Sequence, residues 1–87
     1  MGLAGPLTDW RITVSIAPAQ CRAARALLNW SQGDLVRHSG ITKKTIADFD
    51  RGATQPRAHT LAQLTTAFEA AGIEFLHGRR PGVRMSR

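Results

Sequence analysis

Residues 31–52, SQGDLVRHSGITKKTIADFDRG, constrain the fold more than any other part of this 87-residue chain. Two short runs with helical apolar spacing are separated by Gly40, and each is preceded by a residue that caps helices. Ser31, with Asp34 three positions on, forms a capping box in which Asp replaces the usual Glu. Leu35 and Val36 form the inward side of that first helix. Gly40 supplies the positive φ that ends it and allows a tight turn. Thr42 caps the next helix, Ile46 and Phe49 form its buried side, and Gly52 ends it. Two helices joined by so short a turn cross steeply. Ile41, Ile46 and Phe49 hold the later helix inward, so Lys43, Lys44, Ala47, Asp48 and Arg51 point outward.

The flanks supply the rest of a small core. Pro18 suits the first position of a helix, where its missing N–H costs nothing, and that helix is expected to run to about Asn29. Cys21, Ala24, Arg25 and Leu28 share one face of it. An arginine at the edge of an apolar stripe demands a carboxylate partner. After a loop over 54–57, a helix is expected over about 58–71, with Leu61, Leu64 and Phe68 as its stripe and Gly72 as its stop. Residues 10–16 alternate apolar and polar with period two and read as a half-buried strand. A short strand is expected over 73–76, a turn over 77–82 and a possible return over 83–85. The fold class is therefore mainly α: a four- to five-helix domain with short flanking β-strands at the N- and C-termini. Three parts are expected: an arm with a strand over 1–17, a helix-turn-helix domain over 18–72, and a C-terminal strand, turn and Arg-rich tail over 73–87.

Charge narrows the function classes. Twelve Lys/Arg against six Asp/Glu give a net charge of +6, which points to a polyanionic partner, nucleic acid before a membrane surface. The excess is uneven. The stretch 31–56 carries only +1, whereas 79–87 carries +4 through Arg79, Arg80, Arg84 and Arg87. Cys21 is the lone cysteine, so no intrachain disulfide forms, as suits a reducing compartment. No apolar run approaches the ~20 residues of a membrane span, and no signal peptide is evident. The expected location is cytoplasmic and nucleoid-associated. His38, His59 and His77 lack metal-ligand spacing. No nucleophile–base pair, paired acids or glycine-rich phosphate loop stands out, so neither an enzyme, a metal nor a cofactor is expected.

With these pieces placed, the chain resembles the Xre family of helix-turn-helix DNA-binding domains, the lambda repressor/Cro-like fold. The likeness is carried by RALLNWSQGDLVRHSGITKKTIADFDRGATQPR and the following TLAQLTTAFEAAGI helix, and covers residues 18–73. It implies a partner, double-stranded DNA, and a docking mode in which the helix after the turn enters the major groove. By that likeness Thr42, Lys43, Lys44 and Asp48 face bases. Gln32 contacts phosphate, and the loop through Gln55 and Arg57 touches the backbone. Arg51 is placed beside them as a phosphate clamp. From Lys43 to Arg51 the helix rises about 12 Å, comparable to the groove width. Asp48 could accept from cytosine N4 or only pair with the lysine one turn back. The likeness also pairs Arg25 with Asp50, supplying the partner that its apolar face demanded. Asp50 stands where Glu is usual, so its shorter reach predicts a longer ion pair. Val36 stands where Ala is usual, which predicts a small change in helix packing.

A single recognition helix reads few bases, whereas two-fold pairing reads two half-sites about 34 Å apart. A homodimer is therefore expected, with Trp10, Ile12, Val14, Ile73 and Phe75 as candidates for its interface. Trp10 reads equally as core. The leading expectation is a dimeric transcriptional repressor acting at a palindromic operator, of the prophage, mobile-element or restriction-controller type. The alternatives are an antitoxin that neutralises a toxin and autoregulates its operon, or a protein-interaction module without DNA binding. A toxin or RNA polymerase would then be the protein partner.

Overall fold

The computed structural model describes residues 16–86. Four helices come first: α1 (Pro18–Leu28), α2 (Gln32–Ser39), α3 (Lys43–Asp50) and α4 (Ala58–Ala70). A two-stranded antiparallel sheet follows, β1 (Ile73–Leu76) and β2 (Gly82–Met85). Among the described residues the protein is thus mainly helical with a C-terminal hairpin. The strand expected over 10–16 lies outside them except for Ile16, whose side chain is buried at the entry to α1.

Local chemistry explains the boundaries. Pro18 opens α1, and Gln20 Oε1 accepts the Ala17 N–H at 2.9 Å, satisfying a donor that α1 cannot. Asn29 then takes a left-handed conformation, φ 59°, and the Trp30 N–H returns to the Arg25 carbonyl at 2.8 Å. This closes the helix one residue before its expected end. The capping box at α2 is reciprocal: the Asp34 N–H meets Ser31 Oγ at 3.0 Å, and the Ser31 N–H meets Asp34 Oδ2 at 2.9 Å.

Every helix turns its apolar stripe into one core. Cys21 and Ala24 of α1, Leu35 of α2, Ile46 and Phe49 of α3, and Leu61, Leu64 and Phe68 of α4 are all buried there. Val36 is only partly buried and packs against this core.

The hairpin belongs to the same core. Period-two alternation puts Ile73 and Phe75 on its inner face and Glu74 outside. Phe75 meets Phe68 edge to face, with ring centroids 5.7 Å apart. Ile73 and Phe75, candidates for a dimer interface, are 3% and 8% exposed and belong to the core of their own chain. Trp10, Ile12 and Val14, the other interface candidates, lie outside the described residues. The Arg-rich segment is likewise folded as far as Ser86. Arg84 bonds Glu74 across the strands at 2.8 Å, and the Ser86 N–H reaches the Gly72 carbonyl at 2.7 Å. At the other end, buried Gln20 donates from Nε2 to the carbonyls of Leu76 (2.9 Å) and Gly82 (3.1 Å). A side chain in the first turn of α1 therefore ties down the mouth of the hairpin.

No helix among the described residues is long and apolar enough to cross a membrane.

Candidate functional site

The turn between α2 and α3 sets how α3 is presented. Ser39 Oγ donates to the Leu35 carbonyl at 2.7 Å and accepts the Ile41 N–H at 3.1 Å. Between them Gly40 sits at φ 77° and its N–H bonds the Val36 carbonyl. A side chain at Gly40 would meet no atom within 4 Å, so the constraint there is backbone conformation and not space. Ile41 then plunges into the core, and Thr42 Oγ1 caps α3 by accepting the Thr45 N–H at 3.3 Å.

The two ends of α3 differ in kind. At the leading end Thr42, Lys43 and Lys44 are exposed, and the Lys44 side chain is 85% exposed. Two cations sit where the positive end of the helix dipole favours anions, a placement that costs about 0.3–1 kcal/mol per charge. The first turn of α3 contains no acid to offset them. On the outer face Asp48 lies between Lys44 (3.1 Å) and Arg51 (2.6 Å). Hydrogen bonds from Arg51 and then Lys44 hold its carboxyl below the usual carboxylate range. Both readings of Asp48 thus meet one fact: in the free protein its two oxygens already have donors.

At the trailing end Asp50 is buried and collects donors from three directions. Arg25 Nη2 bonds Oδ2 at 2.7 Å, and Gln32 Nε2 bonds the same oxygen at 3.0 Å. Arg22 Nη1 donates to the Asp50 main-chain carbonyl. The short reach of aspartate therefore leaves the pair with Arg25 close and not lengthened. Arg25 also donates to the Trp30 carbonyl at 3.4 Å. The Cys21 thiol abuts this pair. Burial pushes it up to about 12, and the Asp50 carboxylate beside it adds to the rise. Arg25 Nε and Asp50 Oδ1 are buried without a conventional hydrogen-bond partner.

Around this network Arg22, Arg25, Gln32, Ala47, Asp50 and Arg51 line a cleft of about 320 Å³. The site residues therefore fall into groups. Lys43, Lys44 and Asp48 share the outer face of α3, with Thr42 as its cap. Gln32, Arg51, Arg25 and Asp50 meet at the cleft. Gln32, expected at a phosphate, is bonded to Asp50 in the free protein, because the first residue of α2 lies against the last residue of α3. Gln55 and Arg57 are exposed in the loop before α4, outside the cleft lining. Arg22 escaped the sequence reading. Its only signal was a position one turn before Arg25 on α1, and its partner is a main-chain carbonyl that no residue pattern encodes.

Away from the cleft, Trp30 stacks on His38 with ring centroids 4.2 Å apart and planes 8° from parallel, and its other neighbour is Phe68 at 5.7 Å. His59 and His77 are exposed. No group of three or more His, Cys, Asp or Glu side chains suited to a metal ion occurs among the described residues.

The chain matches no known family model and no curated protein.

Proposed function

We propose that this protein is a sequence-specific DNA-binding transcriptional regulator with a lambda repressor-like helix-turn-helix, acting as a homodimer at a palindromic operator. One observation carries the reading: Lys43 and Lys44 are exposed on the first turn of α3, where fold stability would favour acids. A cost accepted at a helix end is offset when a polyanion docks there. α3 would lie in the major groove with Lys43 and Lys44 directed at guanine O6 and N7. Thr42 would join them at base edges. Asp48 would exchange Lys44 or Arg51 for a cytosine amine. Gln32, Arg51, Gln55 and Arg57 would hold backbone phosphates, fixing register without reading sequence. Blocking polymerase is the simplest consequence of such occupancy. The protein would then act in the cytoplasm, on the nucleoid, and without catalysis.

Selection of bound duplexes from a random library tests this. The expected result is a two-fold symmetric consensus whose affinity falls linearly in log–log with salt, about 0.9 per phosphate neutralised. Replacing Lys43 and Lys44 together by alanine should reduce affinity for that consensus at least tenfold. No enrichment, or an unchanged affinity for the double variant, would overturn the reading.

A further inference from the structure

Three arginines of the C-terminal segment are described, and only Arg84 is paired with an acid, Glu74 across the hairpin. Arg79 and Arg80 are exposed in the turn between β1 and β2. Neither has an ion pair or hydrogen bond among the described residues. The turn runs His77, Gly78, Arg79, Arg80, Pro81 and contains no carboxylate. Two neighbouring like charges without an acid give the fold no attraction, so their use must be sought outside it.

A loose basic loop would be ordinary solvated charge, but this turn is anchored. Gln20 Nε2 bonds the carbonyls of Leu76 and Gly82, the residues at its two ends. Gly78 supplies a left-handed step, φ 92°, and Pro81 fixes its own φ. Behind the turn, Phe75 is packed against Phe68 in the core. The ends of the turn are thus held before any partner arrives, which confines the ordering cost of a contact largely to two side chains.

The same helix relates the turn to α3. Gln20 and Arg22 are two residues apart on α1, a rotation of about 200°, so they leave opposite flanks of it. Gln20 meets the hairpin mouth, and Arg22 meets the Asp50 carbonyl at the trailing end of α3. The turn and that helix end therefore stand on two sides of α1, whose diameter is about 10–12 Å. A B-DNA minor groove is only about 6 Å wide. The turn is thus too far from α3 to share its phosphates and is spaced to reach the next backbone.

We propose that the β1–β2 turn is a second DNA contact, in which Arg79 and Arg80 hold backbone phosphates beyond the half-site, across the minor groove adjoining α3. The proposal rests on the DNA-binding function above and adds to it a contact outside the helix-turn-helix. Guanidinium suits the task, since it can give two parallel charge-assisted bonds to one phosphate. Such contacts add affinity and fix orientation without reading sequence.

The salt dependence of duplex binding by the full chain tests this. Two duplexes are used, one limited to the selected consensus and one extended on each side by a helical turn, about 10 base pairs. On the extended duplex, changing Arg79→Gln and Arg80→Gln together should lower the slope by about 1.8, or 0.9 per phosphate. Changing both to lysine should keep it. Arg37→Gln, which removes a charge from α2, should leave it unaltered. On the short duplex the wild type should show the reduced slope already. The selected consensus should be the same for wild type and double glutamine variant. Because neither arginine has a partner in the fold, the thermal midpoint should not move. An unchanged slope in the double variant on the extended duplex would overturn the turn contact and leave the regulator reading intact. Duplex binding without sequence preference, but with the loss of slope, would uphold the turn contact and sink the operator. No duplex binding at low salt would overturn both.

Discussion

The two ends of α3 belong to a helix of only eight residues, yet they are built on opposite terms. The leading end hangs on one threonine cap and presents lysines to solvent. The trailing end is knotted to α1 and α2 through Asp50, a side chain 7% exposed that receives Arg25 and Gln32 while its carbonyl receives Arg22. One end can change without disturbing the fold, and the other cannot. The pose of α3 is fixed at the end away from its exposed lysines, a division that would suit the recognition role proposed for it.

Breaking the trailing end should have the largest effect. Asp50→Ala leaves the Arg25 guanidinium buried without a counter-charge, a loss of about 3–5 kcal/mol, measurable by urea denaturation. A loss below about 1 kcal/mol would erase the contrast between the two ends. The Cys21 thiol probes the same knot through pH. Its folded value of about 12 lies above the ordinary thiol value of 9.0, so the folded state keeps a proton that the unfolded chain releases. That contribution is complete below pH 9 and is lost as pH rises from about 9 toward 12. Thermal midpoints should therefore fall across this window, and Cys21→Ala should flatten the decline. The smallest effect on stability belongs to the leading end, and it has the opposite sign. Lys43→Glu replaces a cation at the helix N-terminus by an anion and should stabilise the fold by about 0.3–1 kcal/mol, seen as a small rise in melting temperature. Under the proposed function the same variant should lose duplex binding.

Much of the helical framework was legible from local chemistry. Ser31 with Asp34, the positive φ of Gly40, and Thr42 are signals contained within a few residues, and the structure shows caps at those positions. The β1 and β2 strands also follow from short-range patterns. What could not be read were relations across the chain. Period-two alternation shows that Ile73 and Phe75 bury one face, but not whether the cover comes from the same chain; Phe68 provides it here. The apolar stripe of α1 predicted that Arg25 needs an acid, yet a pattern of side chains is silent about Arg22, whose acceptor is backbone. Gln32 illustrates the same limit, since its bond to Asp50 depends on the steep crossing of α2 and α3 and not on any spacing between them.

The contact from Gln20 to the hairpin also has a consequence in time. Its two acceptors, Leu76 and Gly82, lie 56 and 62 residues further along the chain. Synthesis proceeds from the N-terminus at roughly 5–20 residues per second, so for several seconds α1 exists with its glutamine unanswered. Phe68 likewise waits for Phe75. The nascent chain must pass through a stage in which the helices are made and their last cover is not. Cooperative closure of the domain is thereby deferred to the moment the hairpin is released.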